Sequence, residues 1–275
     1  MAEAPDTRTA EAFAQSWNRI GSVYTRDEFL DWFAPIGTDD LRGRDVLELG
    51  FGNGSMLYWV VQCHPRELTG IELGDTIEQT RRNLDAAGAD VPVELLRGDL
   101  TSAQLGDFDV VYCIGVLHHL KEPEAGFRSV LRHARPGGRF HCWVYAHEGN
   151  AVVRWFVDPL RRVTSRLPWW LTKYGFALPL AVPFFVAARL LNVRPLRSQT
   201  WLRRLPMAAY FSWIAPRPFR FFHHVAFDQL VTPQTRYIRR STVEQWLTAP
   251  EIDPQSVYVI FRNANSWKFG GRRRT

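Results

Sequence analysis

From Arg44 onward the chain alternates short apolar runs with amphipathic stretches. The runs are DVLEL (45–49), ELTGI (67–71), VPVELL (91–96), DVVYCI (109–114) and RFHCWVY (139–145). Between them lie SMLYWVVQC, TIEQTRRNLDAAG, a short TSAQL and EPEAGFRSVLRHA, the last followed by Pro136-Gly137-Gly138. Runs of four to six apolar residues alternating with helical periodicity predict a parallel sheet covered by helices on both faces. Upstream, Phe13, Trp17, Ile20, Phe29, Trp32 and Phe33 recur at roughly three-to-four spacing and predict helix over 11–34, closed by Pro35 and Gly37. The alternation stops after residue 148 and resumes at STVEQWL (241–247), a short helix. SVYVIFR and SWKFGG around Asn263-Ala264-Asn265 then predict a closing hairpin of the same sheet. This pattern divides the chain into N-terminal helices (1–40), a sheet domain (41–148 and 241–275) and a helical insertion (149–240).

The sharpest local signal is VLELGFGNGS (46–55), a strand running into glycines at 50, 52 and 54 ahead of a helix. Gly50 permits the turn, and Gly52 and Gly54 let the backbone approach a ligand. A nicotinamide-type fingerprint needs its third glycine three residues after the second, and position 55 is Ser. Glu48 beside the loop favours a cationic or zwitterionic ligand over a pyrophosphate. Glu72 ends the second strand, 24 residues after Glu48, where a carboxylate can accept both hydroxyls of a ribose. Asp99 ends the third strand, where the exocyclic amine of an adenine would arrive. The fourth strand opens into the same carboxyl edge, where ligands of such sheets bind.

Together, ELGFGNG, GIELG, RGDL, DFDVVYCIGVLHHL and ARPGGRF resemble the successive motifs of class I S-adenosylmethionine-dependent methyltransferases, over roughly residues 40–147 in order and in register. The resemblance implies a Rossmann-like α/β fold with a seven-stranded, mostly parallel sheet and an antiparallel last strand. It also implies S-adenosyl-L-methionine as cofactor. Carried over by position, Glu48, Gly50, Gly52 and Gly54 frame the methionine part and Glu72 takes the ribose. Asp99 and Leu100 sit by the adenine, and Ile114 closes the set at the end of the fourth strand. Phe51 departs from the commoner small residue, and Glu stands at 72 where Asp is usual. The N-terminal FAQSWNRIGSVYTRDEFLDWF resembles the lid helices of small-molecule members, so Trp17 and Tyr24 are candidates to close over the acceptor.

Methyl transfer is an in-line displacement that holds the acceptor about 3 Å from the methyl and removes a proton from a hydroxyl. Candidate bases are His118 and His119 at the exit of the fourth strand, Glu148 after the fifth, and Tyr24. Tyr145 and His147 are candidates for acceptor binding. His223-His224 with Asp228 lacks metal-ligand spacing, and no metal is expected. The implied activity is methylation of a small hydrophobic acceptor, favouring oxygen, with carbon or nitrogen open. An RNA methyltransferase and a non-catalytic cofactor-binding scaffold are the alternatives.

Charge divides the chain as the pattern does. The net charge is +6, but residues 1–148 hold 14 basic and 23 acidic residues, whereas 149–250 hold 15 basic and 3 acidic. The insertion therefore reads in three ways: an acceptor cap whose arginines meet an anionic group, a peripheral contact with the inner face of an anionic membrane, or a nucleic-acid grip. Arginines that merely pair with the acidic half form a fourth. One lysine among fifteen basic residues, and the aliphatic bulk of FALPLAVPFFVAARLL, weigh against nucleic acid. The longest uncharged apolar stretch, Tyr174–Ala188, has fifteen residues against the about 20 a spanning helix needs. Three cysteines without pairing spacing and a polar N-terminus predict a reduced, cytoplasmic chain without a signal peptide.

Overall fold

A computed structural model describes residues 7–20, 24–88, 90–193 and 207–275, which fall into two compact units. The first comprises the chain up to Tyr145 with Arg240–Ile260 and Trp267–Thr275; the second comprises Ala146–Arg239 and the hairpin tip Phe261–Ser266.

The first unit starts with two helices, α1 (Thr7–Ile20) and α2 (Arg26–Phe33), where the periodicity predicted one. The reason lies in Thr25-Arg26-Asp27-Glu28. The Thr25 hydroxyl accepts the Glu28 N–H, and the Glu28 carboxylate accepts the Thr25 N–H at 2.7 Å, a capping box that starts a new helix. The sheet elements follow: β1 (Asp45–Leu49), α3 (Ser55–Val61), β2 (Glu67–Glu72), α4 (Ile77–Ala87), β3 (Val93–Arg97), β4 (Phe108–Ile114), α5 (Pro123–His133) and β5 (Ala134–Tyr145). TSAQL forms turns rather than a helix, because Asp99 folds onto the Thr101 N–H and hydroxyl, both at 2.8 Å.

Seven strands form one sheet in the order β3-β2-β1-β4-β5-β7-β6, with β6 (Tyr258–Arg262) and β7 (Ser266–Arg272) the C-terminal hairpin. β1 pairs in parallel with β2 (Val46 with Leu68) and with β4 (Val46 with Val110), so the strand order reverses between β1 and β4. Helices cover both faces, and Val46, Leu47, Leu49, Leu68, Val111 and Cys113 are buried. β7 runs against β5: the Gly137 N–H donates to the Arg273 carbonyl and the Arg273 N–H to that of Gly138.

His141 ties β5 to its neighbours from inside the core. Its Nε2 lies 2.8 Å from the Trp32 carbonyl oxygen, which can only accept, so Nε2 carries the proton. Nδ1 then accepts the Tyr258 hydroxyl at 2.7 Å. Burial pushes the imidazole down to about 4, so it stays neutral near pH 7.

The second unit is helical. A π-helical turn (Val153–Val157) leads into α6 (Asp158–Thr164), and another (Leu171–Ala177) into α7 (Leu178–Leu191), followed by α8 (Ala208–Ile214) and α9 (Phe219–Val231). Buried Arg161 on α6 donates to the Gln229 carbonyl and side-chain oxygens on α9, each at 2.6 Å, and to Asp158 at 2.8 Å. Ala181, Ala188, Ile214 and Phe222 form a small core with Phe184 and Phe185. Leu171–Leu191 makes one continuous helix of 21 residues, long and apolar enough to cross a membrane by length and composition. The fifteen-residue count understated it because Lys173 and Arg189 lie inside the helix near its ends, and Pro179 sits in the first turn after the π-segment.

The β5–β7 contact leaves no room for a side chain at Gly270. A Cβ there would lie 2.3 Å from the Phe140 carbonyl oxygen and 2.4 Å from the Tyr258 hydroxyl. Gly270→Ala is expected to destabilise the protein by roughly 1–3 kcal/mol. Exposed Gly37, with only Asp40 at 3.7 Å, should tolerate Ala within about 0.5 kcal/mol. Denaturant unfolding of both variants checks the difference.

Candidate active site

The carboxyl edge of β1 and β2 is built around the glycine loop. Gly50, Gly52 and Gly54 all adopt positive φ, at 84°, 54° and 75°. A Cβ on Gly50 would meet Val116 at 2.5 Å, and one on Gly54 would meet Thr80 at 2.4 Å. The turn is therefore held from both sides, with Val116 following β4 and Thr80 on α4. Asn53 is buried within it, its Oδ1 accepting the Ser55 N–H at 3.1 Å and its carbonyl accepting Asn83 Nδ2 at 2.8 Å.

Glu72 is the fastener of the loop. One carboxylate oxygen accepts the Gly52 N–H at 2.9 Å and the other accepts the Gly74 N–H at 2.8 Å. Burial raises its pKa, while these backbone donors pull it back down. A carboxylate has about four acceptor positions, so the backbone leaves capacity for hydroxyl donors. Helix α1 passes close by: a Cβ on Gly74 would lie 3.0 Å from the Ala10 carbonyl, and Asn18 Nδ2 donates to the Asp75 carbonyl at 2.9 Å.

Glu48, 1% exposed, has a different environment. Its carboxylate accepts the Tyr112 hydroxyl at 2.8 Å. Burial pushes its pKa up to about 8, the Tyr112 hydrogen bond pulls against this, and the nearby Glu72 adds to the rise. A cation arriving at this edge would relieve that cost by favouring the ionised form.

Asp99 is half-buried, with its carboxylate engaged by Thr101, and Leu100 is buried beside it. Ile114 ends β4 and pairs with Trp143 of β5. Beyond it the chain makes a short turn through Leu117–His119. His118 is buried, with its ring 4.2 Å from His119 and 4.3 Å from Tyr145, centroid to centroid. His119, half-buried, meets Phe13 of α1 edge-on at 4.9 Å. Tyr24 meets Trp32 of α2 edge-on at 4.5 Å, and its carbonyl accepts the Trp59 indole N–H at 2.7 Å. Trp32 in turn lies 6.0 Å from Trp143, itself 5.2 Å from Tyr145.

The candidate residues His118, His119, Tyr24 and Tyr145 thus share one aromatic wall with Phe13, Trp32 and Trp143, which the sequence reading passed over. Trp143 was findable, since it alternates with His141 and Tyr145 along β5 and shares their face. Its buried indole N–H has no hydrogen-bond partner among the described residues, which leaves a donor beside these rings. His147 and Glu148 belong to the second unit, where the His147 N–H donates to the Ile238 carbonyl. Burial, Arg154 and Arg239 lower the His147 pKa. The Trp17 side chain lies outside the described residues. His223 Nε2 donates to the Lys173 carbonyl at 2.9 Å, and His224 pairs with Asp228. No group of three metal-ligating side chains occurs among the described residues.

Glu48 makes a signed prediction. Its pKa is about 8 in the folded chain and near 4.5 when solvated, so the folded state holds the extra proton between those values. Its burial is free of ionisation cost below pH 4.5 and becomes increasingly destabilising as pH rises through 8. Glu48→Gln is therefore expected to raise the unfolding temperature above pH 8 and to change it little near pH 4.5. Thermal unfolding across that range checks it; equal effects at both ends would contradict it.

Residues 47–142 match the family model described as a methyltransferase domain. Over 129 residues the chain is 30% identical to a ubiquinone biosynthesis O-methyltransferase of Neisseria meningitidis serogroup C, covering 44% of this chain and 53% of that protein. The chain spans about a quarter to a half of the length of the curated relatives it matches. Among solved structures, an O-methyltransferase family protein from Burkholderia thailandensis superposes with a TM-score of 0.54 at 16% identity, over 98% of this chain and 61% of that one. Magnesium protoporphyrin IX methyltransferase from Synechocystis PCC 6803, solved with bound S-adenosylhomocysteine, superposes with a TM-score of 0.50 at 12% identity, over 99% and 90%. Both similarities concern the fold. The glycine turn open to backbone approach, the spare acceptor capacity of Glu72 and the cation-favouring Glu48 fit the cofactor that the motifs imply. Residues 47–142 of the sheet unit are a methyltransferase domain, and the fold around them is that of class I S-adenosylmethionine-dependent methyltransferases.

Proposed function

We propose that this protein methylates a hydroxyl oxygen of a small, apolar, ring-bearing acceptor. The observation that carries this reading is the aromatic wall at the ends of β4 and β5, with the Trp143 indole N–H, unpartnered among the described residues, beside it. Flat apolar rings hold a ring-shaped acceptor by burial and edge contacts. An unfilled buried donor favours an acceptor atom with a lone pair, which oxygen supplies. The O-methyltransferase names among the relatives support the same choice of atom.

The cofactor, when bound, supplies an electrophilic methyl group on a sulfonium. Glu48 and Glu72 hold its charged and hydroxyl-bearing parts, and Asp99 with Leu100 borders its base. The wall is joined to the glycine loop by short packing steps. A Cβ on Gly50 would strike Val116, and one on Gly115 would touch the Trp143 ring at 3.6 Å. Phe13 of α1, Trp32 of α2 and Tyr24 just ahead of α2 cover the acceptor and exclude water. His119, half-buried against Phe13, accepts the hydroxyl proton, and His118 beneath it positions its ring. An imidazole suits this task near neutral pH.

Incubation with S-adenosylmethionine and an alkyl-substituted catechol is expected to form S-adenosylhomocysteine, with no turnover of the dimethoxy analogue. His119→Gln should lower kcat about 10²–10⁴-fold with little change in KM, and Trp143→Phe should chiefly raise KM. Turnover of unmodified tRNA but no hydroxylated ring compound would overturn the reading. A larger kcat loss in His118→Gln than in His119→Gln would reassign the base.

A further inference from the structure

The second unit is amphipathic in the wrong sense for a chain surrounded only by water. Along residues 152–166 large apolar side chains are exposed beside Arg162 and Arg166: Trp155 and Phe156 are each 75% exposed, Val163 57% and Val152 42%. The two fully buried positions are polar. Arg161 and Thr164 are buried and bond to Gln229 and Leu230 on α9. On the helix Leu171–Leu191, Phe184 and Phe185 pack on the unit's small core while four branched aliphatics turn away from it. Thr172, Ala177, Ala181 and Ala188 face inward, whereas Leu180, Val182, Val186 and Leu190 are 43–55% exposed. A soluble helix turns its large apolar side chains to the core. Eleven of the fourteen large hydrophobic residues exposed among the described ones lie between Val152 and Val193, so this is a patch rather than scatter.

Charge selects what covers the patch. Residues 146–239 contain fourteen basic and three acidic residues, and thirteen of the fourteen are Arg. Arg162, Arg166 and Arg189 are exposed on the same stretches as the apolar side chains. A second copy would bring two strongly basic faces together, which repel. Nucleic acid would be held by the arginines, but the branched aliphatics of Leu171–Leu191 cannot stack on bases. A bilayer surface of anionic lipid satisfies every component. Phosphates pair with Arg, Trp and Tyr settle at the headgroup level, and Leu and Val enter the acyl boundary.

We propose that residues 152–193 dock this protein on an anionic membrane surface, with Trp155 and Phe156 inserted and Arg162 and Arg166 paired to lipid phosphates. The docking residues belong to the second unit and the aromatic wall to the sheet unit, so the proposal stands whichever acceptor is methylated.

The test is flotation of the full chain with vesicles of equimolar phosphatidylcholine and phosphatidylglycerol, against phosphatidylcholine alone. Binding is expected on the anionic vesicles and is expected to fall as salt rises. Replacing Trp155 and Phe156 together by Ser should reduce it about tenfold or more. Replacing Arg162 and Arg166 by Gln should weaken it about fivefold per arginine. S-adenosylhomocysteine binding and unfolding temperature should be unchanged in both, since all four side chains are exposed. Equal flotation with neutral and anionic vesicles, full binding by the Ser variant, or concentration-dependent dimerisation abolished by these substitutions without an effect on flotation would overturn the proposal. So would loss of vesicle binding on adding tRNA at matched charge, which would assign the face to nucleic acid.

Discussion

The cofactor edge depends on one carboxylate bridging two backbone N–H groups. By accepting from Gly52 and Gly74, Glu72 pins the turn after β1 to the end of β2. The three glycines can therefore stay in a left-handed conformation without side chains to brace them. Val116 and Thr80 fill the spaces that Cβ atoms would need, so the loop is shaped by its neighbours as much as by its own sequence. Glu48 lies one strand away under the opposite constraint, with a single Tyr112 hydroxyl to offset its burial. An ionisable group kept at such cost makes Glu48 a candidate contact for a charged ligand.

The glycine loop, Glu48 and Glu72 were legible because their chemistry needs particular residue types at strand ends, and strand ends follow from the apolar runs. The seven-stranded sheet was legible for the same reason. The aromatic wall was not. Phe13, Trp32 and Trp143 come from three elements far apart in the chain, and each alone looks like an ordinary core residue. Only the fold brings them to His118, His119 and Tyr145. The break between α1 and α2 was written in Thr25 and Glu28, but the continuing apolar periodicity concealed it. Asp99 illustrates a different limit. Its position at the end of β3 is evident, whereas its engagement with Thr101 is a local turn choice that spacing cannot show.

The basic bias of the chain acquires a physical meaning when charge and exposure are combined. A count of arginines is compatible with phosphate, carboxylate or lipid. Arg161 buried and Trp155 exposed favour a surface that offers both anions and hydrocarbon. The methyltransferase match lies in the sheet unit, and the unusual surface belongs to the second.

The Glu72-pinned loop is the candidate seat of S-adenosylmethionine. Calorimetric titration of S-adenosylhomocysteine into the wild type and Glu72→Gln tests it most directly. Sub-millimolar binding by the wild type is expected, weakened about tenfold or more by loss of the charged acceptor. No binding by the wild type, or equal affinity in a folded Glu72→Gln variant, would contradict it.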